Sequence, residues 1–87
     1  MYKILVSKQA LKNIEDLPEH VKKRMKEAIN TLSQYPIPVK KYDIKKIAGE
    51  ERTYRIRIGK YRLIYEIYGE EIHILGISHR KKAYRNI

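Results

Sequence analysis

The chain has 87 residues, 43% of them hydrophobic and 34% charged, which excludes disorder and leaves room for one modest core in a single domain over residues 1–87. It has no cysteine, which excludes a disulfide scaffold, thiolate metal ligands and thiol catalysis. Twenty Lys and Arg against ten Asp and Glu give a net charge of +10, a field that attracts polyanions: nucleic acid first, an acidic protein second. A thermophile's lysine-rich surface gives similar totals, but it does not explain arginines that cluster.

The opening "MYKILVSKQALK" has too short an apolar run for a secretory signal. No stretch approaches the roughly 20 apolar residues of a membrane span. A soluble cytoplasmic protein is the expectation. Tyr2 to Ser7, apolar and partly β-branched, predicts a first strand. Ala10, Ile14 and Leu17 follow at helical spacing behind Ser7, a suitable cap. Pro18, with its fixed φ, suits the first turn of a second helix. That helix places Val21, Met25, Ala28, Ile29 and Leu32 on one face and most of its lysines elsewhere.

Residues 36–51 hold two prolines and four lysines without a sustained period. They read as a connector long enough to suggest function, with Ile44 and Ile47 tucking one turn of it against the core. Three strands follow, Thr53 to Ile58, Tyr61 to Tyr68 and Glu71 to His79. Gly59-Lys60 and Gly69-Glu70 join them as hairpin turns. The tail "RKKAYRNI" makes a final helical turn. The order β-α-α-β-β-β predicts an α+β fold. In it a helical hairpin covers one face of a small, mostly antiparallel four-stranded sheet.

Side chains alternate along a strand. Tyr54, Ile56 and Ile58, then Tyr61, Leu63, Tyr65 and Ile67, therefore belong under the helices. Thr53, Arg55 and Arg57, then Arg62, Ile64 and Glu66, belong on the open face. Three arginines on neighbouring strands repel each other and contribute little to the fold, while guanidinium groups grip phosphate through paired hydrogen bonds. The functional reading is an anion site; the bland one is a solvated face with Glu66 neutralising one arginine. Lys45 and Lys46 in the connector and Lys60 in the turn add basic contacts for RNA.

His79 ends the last strand, and it joins the cluster with Arg80 and Tyr84 if the chain turns back there. Arg80 and Tyr84 are four apart, so on a helical turn they share a side. His73 and His79 lie roughly 20 Å apart on a straight strand, too far to flank one phosphate, and His20 lies on the long helix. No His, Asp and Glu set has metal-ligand spacing, so the expected chemistry is metal-independent and without a cofactor. Tyr2, Tyr54 and Tyr65 read as core, whereas Tyr84, Tyr61 or Tyr68 is available to stack a base.

"YRIRIGKYRLIYE" and "GISHRKKAY", with the connector ending "KKIAG", resemble the RelE toxins of the RelE/ParE superfamily over nearly the whole chain. The resemblance implies a small cytoplasmic toxin held inactive by a cognate antitoxin, with a toxin–antitoxin heterotetramer as one assembly it allows. It implies entry into the ribosomal A site and cleavage of mRNA there. By the same resemblance Arg55 and Arg57 contact the mRNA backbone, Arg62 the scissile phosphate, Arg80 follows the last strand, and Tyr84 stacks on or orients a base. RelE itself has lysines where Arg55 and Arg57 stand, one of them a proposed general base. Arginine stays protonated, which leaves His79 and Tyr84 as candidates for proton transfer. The rival readings are a ParE-like inhibitor of DNA gyrase, against which "HRKKAY" speaks, a non-catalytic basic RNA-binding module, and a toxin inactive for want of its base.

Overall fold

The computed structural model describes residues 1–79; Arg80, Tyr84 and the expected final turn lie outside the described residues. Strand β1 (Lys3–Val6) runs into helix α1 (Lys8–Glu15) through Ser7. The Ser7 hydroxyl accepts a hydrogen bond from the Ala10 N–H at 3.0 Å, satisfying one of the donors that a helix start leaves open. Pro18, at φ −56°, is the cap residue of helix α2 (Glu19–Gln34), one place ahead of the first-turn position expected for it. Val21, Met25, Ala28 and Leu32 of α2 are buried and Ile29 is half-buried, the apolar stripe that the spacing predicts.

Strands β2 (Asp43–Lys46), β3 (Thr53–Ile58), β4 (Tyr61–Tyr68) and β5 (Glu71–His79) join β1 in one sheet of order β1-β5-β4-β3-β2. The β1–β5 pair is parallel and the other three pairs are antiparallel. The sheet therefore has five strands where four were expected. The added strand is β2, inside the stretch read as a connector. Its sequence offers one apolar side chain, Ile44, which lies half-buried opposite Ile56. Pairing with the edge of β3 creates this strand, not a pattern of its own.

The helices cover one face. Ala10, Met25, Ala28, Leu32, Ile56, Leu63, Tyr65, Ile72 and Ile74 are fully buried between the layers, and each large aliphatic side chain there contributes roughly 1.5–3 kcal/mol. The Tyr65 hydroxyl donates to the Pro36 carbonyl at 2.8 Å. Burial pushes its phenol well above the ordinary range, and Tyr54, stacked on it at 5.6 Å, adds to the shift. This is a structural tyrosine tying the connector to the core.

Strand β5 breaks strict alternation. Ile64 faces Gly76 but Tyr65 faces Ile74, so Leu75 has no partner on β4 and forms a β-bulge. Ile72, Ile74 and then Ile77 thereby reach the helix side. Helix α1 and its cap hold the bulge. The Ser7 hydroxyl donates to the Leu75 carbonyl, and the Ile77 N–H donates to Asn13 Oδ1, both at 3.0 Å.

Candidate nucleic-acid interface

Cross-strand register sets two rows of residues on the face turned away from the helices. One row runs Asp43, Arg57, Arg62, Ser78; the next runs Lys45, Arg55, Ile64, Gly76. Residues directly opposite in a sheet share a side of the pleat, so Arg55, Arg57 and Arg62 share one face and Lys45 stands beside Arg55. Arg57 and Arg62 face each other across β3 and β4, a like-charge pair that works against the fold.

One carboxylate tempers the four cations. Asp43 Oδ1 lies 4.0 Å from Arg55 Nη2 and Asp43 Oδ2 lies 3.7 Å from Arg57 Nε. With Asp43 half-exposed, such pairs contribute little. Glu66, the counter-ion of the bland reading, instead accepts from the Thr53 hydroxyl at 3.4 Å. Sequence reasoning missed Asp43 because only the β2–β3 pairing brings it to Arg57.

Three polar atoms on this face are buried without a hydrogen-bond partner among the described residues: Arg55 Nη1, Arg62 Nε and Ser78 Oγ. A buried donor left unpaired costs about 1–3 kcal/mol, and more when charged. An anion with several oxygens satisfies such donors at once. The Arg55 side chain is 11% exposed and that of Arg57 52%, so one donor is sunk in the surface while the other reaches into solvent.

His79 is not in this cluster. It pairs with Tyr61, the rings meeting edge-on at 5.2 Å, and Tyr61 packs against the core beneath the helices. The register thus sets His79 on the side of Tyr61 and outside the arginine rows, and the cause is the Leu75 bulge. Strict alternation puts positions 73, 75, 77 and 79 on the open face, whereas one extra residue returns Ile77 and His79 to the other side. The spacing of Ile72, Ile74 and Ile77, two and then three, is the signal that reveals it.

Lys46 pairs with Tyr54 on the helix side, and Lys60 is exposed at the β3–β4 turn beside Gly59, whose φ is +59°. Neither lies in the arginine rows. His73 is on the open face opposite Glu66, with its Nε2 3.0 Å from Glu71 Oε1 and its ring against Tyr68. It belongs to the far end of the face, not to the arginine rows. No group of His, Cys, Asp and Glu able to hold a metal ion occurs among the described residues.

Comparison with known proteins gives a consistent result. The family described as "ParE toxin of type II toxin-antitoxin system, parDE" matches residues 4–84. A Methanocaldococcus jannaschii protein carrying the name RelE1 is 41% identical over 87 residues, covering 98% of this chain and 97% of the relative. A chain in the crystal structure of the archaeal RelE–RelB complex from Pyrococcus horikoshii OT3 superposes with a TM-score of 0.83 at 32% identity, over 94% of this chain and 98% of that one. A chain of the RelB–RelE antitoxin–toxin complex from Methanococcus jannaschii also gives 0.83, at 34% identity over 95% and 98%.

Proposed function

The chain belongs to the RelE/ParE family of type II toxin–antitoxin toxins and is of the RelE type; from that premise we propose that it is a ribosome-dependent endoribonuclease that cuts mRNA in the A site. The observation that carries this reading is the arginine face, where Arg57 opposes Arg62 and buried donors of Arg55 and Arg62 have no hydrogen-bond partner among the described residues. A phosphodiester is the ligand that uses such a set.

In this reading the 2′-hydroxyl of one nucleotide attacks the adjacent phosphorus, and the 5′-oxygen of the next nucleotide leaves. The products are a 2′,3′-cyclic phosphate and a 5′-hydroxyl end. Arg62 holds the scissile phosphate and offsets the charge that builds on its oxygens. Arg55, Arg57 and Lys45 hold the flanking backbone. Arg80 adds a second cation at the phosphate, and Tyr84 stacks on or orients a base, as the resemblance implies, or handles a proton. With His79 turned to the helix side, proton transfer has no imidazole in the arginine rows. The chemistry then leans on positioning, which a ribosome supplies by fixing the mRNA.

The reading includes a cognate antitoxin, since the similar RelE chains are held by RelB in their complexes. An acidic or amphipathic antitoxin segment laid on the arginine rows blocks the site by charge alone. It also treats residues 1–87 as one toxin domain acting in the cytoplasm, where ribosomes are. No described helix is long and apolar enough to cross a membrane.

The decisive assay adds purified protein to ribosomes carrying a defined mRNA with an empty A site and maps the new 5′ ends. The expected result is a cut within the A-site codon that Arg62→Ala suppresses. Intact mRNA at ribosome-saturating protein rejects the proposal. The matching family description names ParE, so a gyrase supercoiling assay runs in parallel: inhibition there, without mRNA cleavage, supports the ParE-like reading instead.

A further inference from the structure

A second basic region lies around the tip of the same hairpin, on the helix side. The first turns of α2 and the β3–β4 turn enclose a cleft of about 310 Å³. His20 and Arg24 line it from the helix and Lys60 from the turn, with Tyr61 also in the wall. A Cβ added at Gly59 would lie 3.4 Å from Arg24 Nη1, so the guanidinium rests close against the turn backbone. Among the described residues no carboxylate lines this cleft. An adjoining depression shares His20 and adds Lys22, Lys23 and Lys26, its one carboxylate, Glu19, lying 3.6 Å from Lys22.

These cations do nothing evident for the fold, since Arg24 and Lys60 are exposed and line the cleft without an acidic partner in it among the described residues. They also lack the marks of a protein-docking site. Protein interfaces take most of their energy from projecting aromatic and aliphatic anchors, and none of the large exposed apolar side chains lies in the cleft. The groove beyond α2 differs on this point, exposing Tyr35, Ile37 and Val39. Cations without anchors suit a phosphate backbone, which is held by charge and releases counterions when bound.

The position favours the same ligand. Arg57 and Arg62 each stand within two residues of Gly59 or Lys60. Basic side chains therefore continue from the open face around the hairpin tip to the helix side. We propose that the Arg24–Lys60 cleft is a second RNA-backbone site, taking phosphates other than those held by the arginine rows. This rests on the RNA-cleaving reading above for the source of the phosphates, which is ribosomal RNA or the mRNA itself. The contact chemistry is the same for both.

The test measures binding of the full chain to vacant ribosomes and to a short single-stranded RNA oligonucleotide, each across a salt series, for wild type, Arg24→Gln and Lys60→Gln. Each substitution is expected to make the plot of log affinity against log salt shallower by about 0.7 to 0.9, the contribution of one phosphate contact. A change on the vacant ribosomes alone assigns the phosphates to ribosomal RNA, and a change on the oligonucleotide alone assigns them to mRNA. Unchanged slopes for both variants overturn the site. So does loss of affinity for the purified antitoxin with RNA slopes intact, which hands the cleft to a protein. Cleavage of programmed ribosomes by the wild type is followed alongside. Slopes that depend on Arg24 and Lys60 without any cut overturn the cleavage proposal and leave the RNA site standing.

Discussion

On the helix side of β3 and β4, Ile56, Leu63 and Tyr65 are fully buried; on the other side of the same two strands Arg57 faces Arg62, with three polar atoms on that face unpaired among the described residues. The covered face follows ordinary packing physics, in which each side chain adds to stability by leaving water. The open face runs against it, with like charges opposed and donors unsatisfied. A surface that costs stability without structural return suits the proposed function, in which that face holds an anionic ligand. The two faces thus divide the labour: one packs the hairpin on the core, and the other presents the guanidinium groups side by side.

Four substitutions test this division. Leu63→Ala, on the covered face, is expected to lower unfolding free energy by about 2–5 kcal/mol, the range for truncating a buried leucine; chemical denaturation measures it. A wild-type midpoint would mean that the helix side is not the core. Arg62→Ala, on the open face, is expected to slow A-site cleavage by about 100- to 1000-fold, roughly 2.7–4 kcal/mol of barrier. Its stability should hold or rise by about 0.2–1 kcal/mol as the repulsion from Arg57 is relieved. Parallel loss of activity and stability would erase the distinction between the faces.

Tyr65→Phe sharpens the account of the covered face. It leaves the Pro36 carbonyl without its donor and should destabilise by about 1–3 kcal/mol. It also carries a pH signature. The folded-state phenol titrates above the ordinary value of about 10, so above that pH the unfolded chain gives up its proton first. The tyrosine's contribution is therefore intact below about pH 10 and is lost as pH rises toward the folded-state value. The Phe variant should lack this alkaline decline, which paired melts across pH would reveal. The smallest effect belongs to Asp43→Asn. Removing the half-exposed carboxylate should change stability by no more than about 1 kcal/mol and tighten RNA binding by up to about fivefold, measured by titration with an oligonucleotide.

The sequence carried much of this division in plain view. Alternation in Thr53–Ile58 and Tyr61–Tyr68, bounded by Gly59 and Gly69, placed both strands and sorted their two faces as the structure has them. The stripe from Val21 to Leu32 did the same for α2. What escaped depends on partners distant in the chain. Asp43–Lys46 has no strand pattern of its own and becomes a strand only through β3. Asp43 reaches Arg57 only by that pairing, so Glu66 was the wrong counter-ion. The face of His79 turns on one unpaired residue, Leu75, whose carbonyl is held by Ser7 from 68 positions away. Local pattern reading assumes that period 2 continues, and a bulge ends that assumption without altering composition.

The strand order bears on how the chain is assembled in time. β5 is the last of the seven elements among the described residues, yet it sits second in the sheet, between β1 and β4. A chain emerges from the ribosome N-terminus first, so β1 and α1 are made early, and β1 has no sheet partner until residues 71–79 follow. Such late closure of distant parts slows folding. A nascent chain long enough to contain Arg62 is therefore not yet a completed sheet, and the arginines gain their rigid backing only when the final strand slots in beside the first.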